Sequence, residues 1–507
     1  MVRQTRIVMM WGCVSAFMLF VGVATLGSRQ AMAQTTQPNQ ASDSTTAQAV
    51  VNKRIPVWQI EEHVSHDWLR SMVTNGLVDY WEKNSVAPNG FIQEDLDRQW
   101  KHWGTQEEAT VNGQGRQLLS MTLVYEMNGA KNKDYLDAIT RAADFLLKMH
   151  DPEYGGYYLR VGSDGHVIQD SKTGYQSFAL YSLATVGRVT GDKKYTNAAM
   201  DLFRVIRDKM QDGPLFGSGG SYTRDWKPAS RALGANTTRT NGPSDFVDAM
   251  GWSSGRSPNE IPGRGRGNAG RGASAAFGGS ARAHCIDLHM FEALLGVYEA
   301  TRSPEVWKEV QTELDGISKI YDYKLGYLPA CYDADWKPIG SPTANPGHFL
   351  FEWASELSRA VDLGADPKFI GLGNRIIDLG IKTYNPAIGG LGAYNAQGQP
   401  SPMLWWPQCE VIKATGIYAI LHGREDLWPY FHETLDFVKN NYFDQKDGGW
   451  FEWYLPGTTR EEQGARAFYK GSVDGPEWGS YHQTKLAYEL WRITGTSDNR
   501  FPAKSGN

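Results

Sequence analysis

Helical amphipathicity, repeated in pairs, restricts this chain more than any other feature. About twelve stretches carry apolar residues at helical spacing, at roughly 68–83, 114–129, 134–149, 173–190, 193–211, 284–302, 304–320, 346–363, 366–383, 406–422, 425–440 and 481–494. The segments LDAITRAADFLLKMH and FIGLGNRIIDLGIKTY show the apolar face most plainly. The connections alternate in kind. Short turns such as NGAKNKD, GDKK and GRED join one helix to the next. Longer segments then follow: YGGYYLRVGSDG, SGGSYTRDWKP, LPACYDADWKP, GGLGAYNAQGQP and GGWFEWYLPG. Each has small residues, a short aromatic strand and a turn with Asp, Asn or Gly, which is β-hairpin grammar. The phrase around Trp226 returns around Trp336, 110 residues later, about two periods of 55. Helix pairs at a fixed period define a stacked or closed array. Six pairs can close into a ring of six inner and six outer helices. The expected fold class is all-α, with short β-hairpins at one mouth.

The body of about 450 residues exceeds the usual size of one core, so it is two domains or one large closed repeat architecture. Ahead of it, Arg3 and Arg6 precede an apolar run from Ile7 to Leu26, and AMAQ supplies a small-x-small site after Ala33. Residues 1–33 therefore read as a signal peptide, with an uncleaved anchor as the alternative. The expected location is periplasmic or secreted, without stable membrane insertion after cleavage. Residues 34–53 read as a disordered linker and 54–498 as the helical domain. Within the domain, 231–282 is Gly/Arg-rich and reads as a mobile insertion able to cover one mouth.

The signal carries Arg3, Arg6 and Arg29 and no acid, so the formal charge of −5 becomes −8 on cleavage. That balance argues against duplex nucleic acid as a partner. Cys285, Cys331 and Cys409 remain, too scattered for a disulfide framework or a zinc spacing, and read as small buried apolar residues. Eighteen Trp, 24 Tyr and 19 Phe suit stacking on sugar faces, and equally suit a large helical core.

The chemistry-bearing residues collect at the starts of alternate helices. Arg116 lies in QGRQLL, Tyr175 and Gln176 in KTGYQSF, and His289 and Glu292 in DLHMFEA. His348 and Glu352 lie in PGHFLFEW, Trp406, Gln408 and Glu410 in WWPQCE, and His482 in WGSYHQTK. If these helices form the inner ring, their N-termini share one mouth, where free N–H groups favour developing negative charge. Taken singly, a histidine at a helix start is a cap, Arg116 an ion-pair partner and Trp406 core. Three histidines in one repeat-relative position bring the shared cavity level with that reading. No H-x-E-x-H spacing joins them, and no metal is expected.

The phrases QGRQLL, DPEYGGYY, KTGYQSFALYSLA, DLHMFEALLGVYE, NPGHFLFEW, WWPQCEVIKA, GGWFEW and YHQTKLAYEL, in this order, resemble the N-acylglucosamine 2-epimerase family over about residues 60–495. The resemblance implies an (α/α)6 barrel and sugar isomerisation by paired histidines, with no cofactor and no metal. By motif, His348 and His482 match the acid/base pair. His289, Arg116, Trp406 and Glu410 match residues around the sugar, and Tyr175 and Glu352 join them as substrate-binding candidates. One departure stands out: the family commonly places the glutamate three residues after the Pro-Gly-His histidine, and here Glu352 follows by four.

These residues suit removal of the C2 proton of an open-chain aldose. The resulting cis-enediolate needs hydrogen-bond donors, and imidazole titrates near neutrality. Returning the proton to C1 gives a ketose, and returning it to the other face of C2 gives the epimer. The expected function is thus a sugar 2-epimerase or aldose-ketose isomerase acting on a mono- or disaccharide. The rivals are an exported glycosidase or polysaccharide lyase, using carboxylates such as Asp225, Asp335, Glu352 and Glu410, and a non-catalytic sugar-binding relative. The sequence leaves the sugar and the oligomeric state open.

Overall fold

The computed structural model describes residues 62–94, 96–102, 107–212, 215–216, 221–227, 284–285, 288–321, 323–324, 326–328, 331–332, 338–339, 347–392, 403–451, 453–457, 459, 469–471 and 480–494. The expected signal, linker and insertion lie outside them.

Twelve helices follow in chain order among the described residues. The first, α1, runs His66–Val73, passes through a π turn at Thr74–Val78 and continues as Asp79–Ser85. Then come α2 (Val111–Met127), α3 (Lys133–Lys148), α4 (Gln176–Thr190), α5 (Lys193–Met210), α6 (Leu288–Thr301) and α7 (Pro304–Ile320). Helix α8 opens with a π turn at Gly347–Glu352 and runs on as Trp353–Asp362. The last four are α9 (Lys368–Ile381), α10 (Trp405–His422), α11 (Trp428–Asn441) and α12 (Tyr481–Thr494). Thr110 caps α2 by accepting the Gly113 N–H, and Asn132 caps α3 by accepting from Asp134 and Tyr135. Gly191 and Gly423 close α4 and α10 in left-handed conformations.

The even helices are buried on nearly every side, whereas the odd ones bury one stripe. Each even helix packs on the next, from α2 to α12, and α12 returns to pack on α1 and α2. This is the expected ring of six inner and six outer helices. Closure is reinforced where the two ends meet. Leu96 pairs with Gly471, Gly449 N–H donates to Gly76 O, and Arg98 grips Asp444 through Nε and Nη2 at 2.8 and 3.1 Å.

The long connections are less local than their sequence suggests. Arg160–Gly162 and Val167–Gln169 form a hairpin, as do Cys331–Tyr332 and Pro338–Ile339. The strand of GGLGAYNAQGQP, Gly390–Leu391, instead pairs backwards with Tyr384–Asn385. Those of SGGSYTRDWKP and GGWFEWYLPG reach other segments: Ser221–Tyr222 pairs with Lys172–Thr173, and Trp453–Tyr454 with Met403–Leu404. The latter strands tie neighbouring repeats together. Backbone register also sets Cys285 opposite Cys331, so these two are not scattered in space. Cys409 is buried, as expected.

The repeated Trp-Lys phrase has a mechanical role. Arg224 grips Asp151 through Nε and Nη2 at 2.9 and 3.1 Å, while the Trp226 indole N–H donates to Tyr154 O at 3.0 Å. Arg98 and Trp100 do the same to Asp444 and the Asp447 carbonyl. Both tryptophans sit at positive φ, 64° for Trp100 and 65° for Trp226, a conformation bulky residues avoid unless held. LDRQWK is therefore a copy of the phrase that spacing alone did not reveal. Trp336 lies outside the described residues.

Candidate active site

The first turns of the inner helices meet, as the ring requires. Arg116 on α2 is buried between rings, its guanidinium 4.1 Å from the Phe178 centroid and 4.8 Å from that of Tyr481. Arg116 Nη2 lies 3.3 Å from His289 Nε2. Arginine can only donate, so Nε2 accepts, and His289 carries its proton on Nδ1. That Nδ1 lies 3.4 Å from Glu292 Oε2 and 3.8 Å from Glu352 Oε1. The Tyr481 hydroxyl donates to the same Glu292 oxygen. Arg116 Nε and Nη1 have no hydrogen-bond partner among the described residues.

His482 makes a second pair. Its Nδ1 lies 2.9 Å from Glu410 Oε1, and its ring packs tilted against Trp406 at 5.3 Å and edge-on to Tyr481 at 4.9 Å between ring centroids. The two imidazole centroids, of His289 and His482, are 6.4 Å apart. Unlike His289, His482 has no arginine on Nε2 among the described residues, and donation of Nδ1–H to Glu410 leaves Nε2 with the lone pair.

His348 sits in the π turn that opens α8. Its neighbour Gly347 lies so close to α10 that a Cβ there would come within 2.7 Å of the Trp406 ring and 3.0 Å of Pro407. The chain just before His348 is thus carried against Trp406, whose ring lies 5.3 Å from that of His482. The π turn also accounts for the unusual spacing to Glu352. An i→i+5 winding takes more than four residues per turn, so residues four apart nearly eclipse, and the extra residue is absorbed. Glu352 lies against His289 and the Glu410–His482 pair. Tyr175 stands at the start of α4, half-buried, 6.4 Å from Phe178 between ring centroids.

Charge is arranged with equal care. Burial opposes ionisation of Glu292, but Lys485 and His289 outweigh it and hold its carboxyl well below the usual range. Burial likewise opposes Glu410, and Lys413 with His482 hold it low. Glu352 goes the other way: burial and the Glu410 charge push it well above the ordinary value, which favours its protonated form. Ligand-type atoms of His289, Glu292 and Glu352, and of Glu352, Glu410 and His482, lie within 4.8 Å of one another. Each group is joined by hydrogen bonds and ion contacts, His289 to Glu292 and His482 to Glu410. Lys413 lies on Glu410 and Lys485 on Glu292, and both lysines are shared with further acids, Glu356 and Glu489.

Below the mouth a buried ionic column continues along the axis. Lys485 contacts Glu489 at 3.1 Å and the Tyr181 hydroxyl at 2.9 Å. Arg359 reaches Tyr181 at 3.0 Å and Glu356 at 3.3 Å, and Arg492 reaches Glu489 at 2.8 Å. Sequence reasoning missed Lys413, Lys485 and this column. It also missed Asn112, one turn before Arg116 on the same face of α2, fully buried, with neither amide atom partnered among the described residues. The histidines left aside fall elsewhere. His63 stacks on Trp428, His166 is exposed on Asp164, and His422 is buried against Ser358.

A closed double ring of helices with a histidine–carboxylate centre at the inner-helix N-termini defines an (α/α)6 barrel. The model of the N-acylglucosamine 2-epimerase (GlcNAc 2-epimerase) family matches residues 90–241 and 271–470. The chain belongs to this family. It is similar to a cellobiose 2-epimerase of Bacteroides fragilis, 22% identical over 453 residues, covering 83% of this chain and 97% of the relative. A cellobiose 2-epimerase of Ruminococcus albus is also 22% identical, over 83% of this chain and 97% of the relative. Among solved structures, a sugar epimerase from a ruminal bacterium superimposes with a TM-score of 0.63 at 19% identity, covering 84% of this chain and 98% of the other. A D-mannose isomerase does so with a TM-score of 0.60 at 15% identity, over 88% and 98%.

Proposed function

We propose that this protein is a sugar 2-epimerase or aldose-ketose isomerase, working on a small carbohydrate by histidine-mediated proton transfer through a cis-enediolate. One observation carries the reading. His482 is held by Glu410 through Nδ1, leaving Nε2 as base, and it shares the Tyr481 and His289 rings with buried Arg116, whose Nε and Nη1 have no partner among the described residues. A base and a preorganised cation at one mouth match the two needs of enolisation, taking the C2 proton and stabilising the oxyanion. His348 is the opposing acid/base. His289, pinned by Arg116, orients the sugar with Tyr175, Glu352, Trp406 and Glu410. An exported, periplasmic or secreted location goes with this reading through the N-terminal signal.

A glycosidase needs two carboxylates free to act across the scissile bond. Here Glu410 is committed to His482 and Lys413, and Asp225 pairs with Lys227 at 2.6 Å in the Trp-Lys clamp. Asp335 lies outside the described residues. The test is incubation with cellobiose, mannose, glucose and N-acetylmannosamine in D2O, with and without chelator. Label entering C1 or C2, chelator or not, supports the proposal. Chain shortening would replace it with hydrolysis, binding without exchange with a lectin, and chelator-sensitive exchange with a metal enzyme.

A further inference from the structure

Each histidine–carboxylate pair is backed by a buried lysine. Lys413 Nζ lies 2.6 Å from Glu410 Oε2, the oxygen not used by His482. Lys485 Nζ lies 3.1 Å from Glu292 Oε1, the oxygen not used by His289. Both lysines and both glutamates are at most 1% exposed. A buried lysine is costly, and two occur in the same relation to two imidazoles. Lys413 follows its own partner Glu410 by three on α10, whereas Lys485 stands on α12 and reaches across to Glu292 on α6.

We propose that Lys413 and Lys485 are positioning residues of the proton-transfer site, each fixing the charge and orientation of the carboxylate that holds an imidazole in its Nδ1–H form. This deepens the proton-transfer reading and rests on it. An ionised carboxylate can only accept, so the ring must present N–H on Nδ1 and a lone pair on Nε2. Without the lysine, a buried carboxyl beside Glu352 would tend to take a proton, and a carboxylic O–H pointing at Nδ1 reverses the tautomer. Other charges share the space. Lys413 faces Glu356 and Glu352 of α8 and Glu292 of α6, while Lys485 faces Glu489 of its own helix, Arg359 of α8 and Tyr181 of α4. His482 faces Glu410, Glu352, Tyr481 and His289, with Arg116 across from it. None of these supplies a second cation at 2.6 Å from Glu410.

The sign of the effect is fixed by electrostatics. Removing a nearby cation makes the Glu410–His482 pair bind a proton more readily, so the acidic limb of kcat/KM must move to higher pH. A unit charge lost at about 4 Å is worth about three pH units at an effective dielectric near 20, so the limb should move by at least about one unit. The experiment is the pH profile of Lys413→Met, Lys485→Met, Lys413→Arg and Lys172→Met, on any sugar the wild type turns over. Lys413→Met should shift the limb upward and lower kcat at least about tenfold, with Lys413→Arg restoring the wild-type limb. Lys172 is also fully buried on a carboxylate, Asp151, but outside the site, and its variant should lose thermal stability without moving the limb. An unmoved limb in Lys413→Met, or an equal shift in Lys172→Met, would overturn the proposal. Imidazole nitrogen NMR reads the tautomer independently of turnover or of any variant's folding. Nδ1–H on His482 and His289 in the wild-type protein supports the proposal even if no sugar tested reacts, and Nε2–H there refutes it.

Discussion

Two buried carboxylate–lysine centres in this barrel are built from the same parts and do different work. At the clamp, Asp151 takes Lys172 at 3.0 Å and Arg224 at 2.9 and 3.1 Å, and accepts the Glu153 N–H at 3.1 Å. Every lone pair is used for structure, and the turn is locked. In the mouth, Glu410 takes Lys413 on one oxygen and gives the other to an imidazole. One centre ends on backbone and a second cation, the other on an imidazole. Burial with a lysine therefore marks neither stability nor catalysis. What the second oxygen touches decides between them.

The largest effect should come from breaking the mouth. His482→Ala and His348→Ala are each expected to cut turnover at least about a hundredfold, since general acid–base catalysis is worth about 10²–10⁴. Circular dichroism and melting should stay near wild type, because neither change leaves a buried charge in the clamp. A variant that folds and keeps wild-type turnover would remove that histidine from the mechanism. Asp151→Asn should give the opposite outcome. It strands Lys172 in the interior and is expected to cost about 3–5 kcal/mol of stability, read by denaturant unfolding, with turnover of the folded fraction unchanged.

Much of this contrast was readable in the sequence, and part was not. Helices with one apolar stripe, such as α3 and α9, announce themselves by period. The inner helices were found because their connections alternate and their first turns carry the unusual residues. Beyond that first turn they are buried all round, so period no longer separates inward from outward. Lys413 in EVIKATG and Lys485 in HQTKLAY look like ordinary solvent-facing lysines. Their meaning comes from burial on the barrel axis, which no local spacing encodes. Arg98 and Trp100 escaped notice for a related reason. Their partner Asp444 lies 346 residues away, where the ring closes.

A third buried group sharpens the comparison because it has a hydroxyl partner and no carboxylate. His422 hydrogen-bonds Ser358 at 2.7 Å, and burial pushes its pKa down to about 4. In the unfolded chain it titrates near 6.5. Between those values the unfolded state binds the extra proton, so stability falls as pH drops from about 6.5 to about 4. The gap corresponds to about 3 kcal/mol. His422→Gln should flatten that part of the stability-versus-pH curve, measured by denaturant midpoints. An unchanged slope would mean that the ring is already charged or solvated in the folded state.

The smallest effect is expected where the mouth holds a carboxyl whose environment favours the neutral form. Burial and Glu410 push Glu352 well above its ordinary value, whereas Lys413 and His482 hold Glu410 low. A glutamine is close in shape to a neutral carboxylic acid and unlike a carboxylate. Glu352→Gln should therefore lose less than about tenfold in turnover at pH 7, while Glu410→Gln, which puts an amide where His482 needs an anion, should lose at least about a hundredfold. The two substitutions are chemically identical and the two carboxyls share one pocket, so any difference isolates charge from shape. Parallel kcat measurements at pH 7 decide the matter. Equal losses would mean that Glu352 is ionised in the working enzyme, or that it moves a proton itself and belongs with His348 and His482.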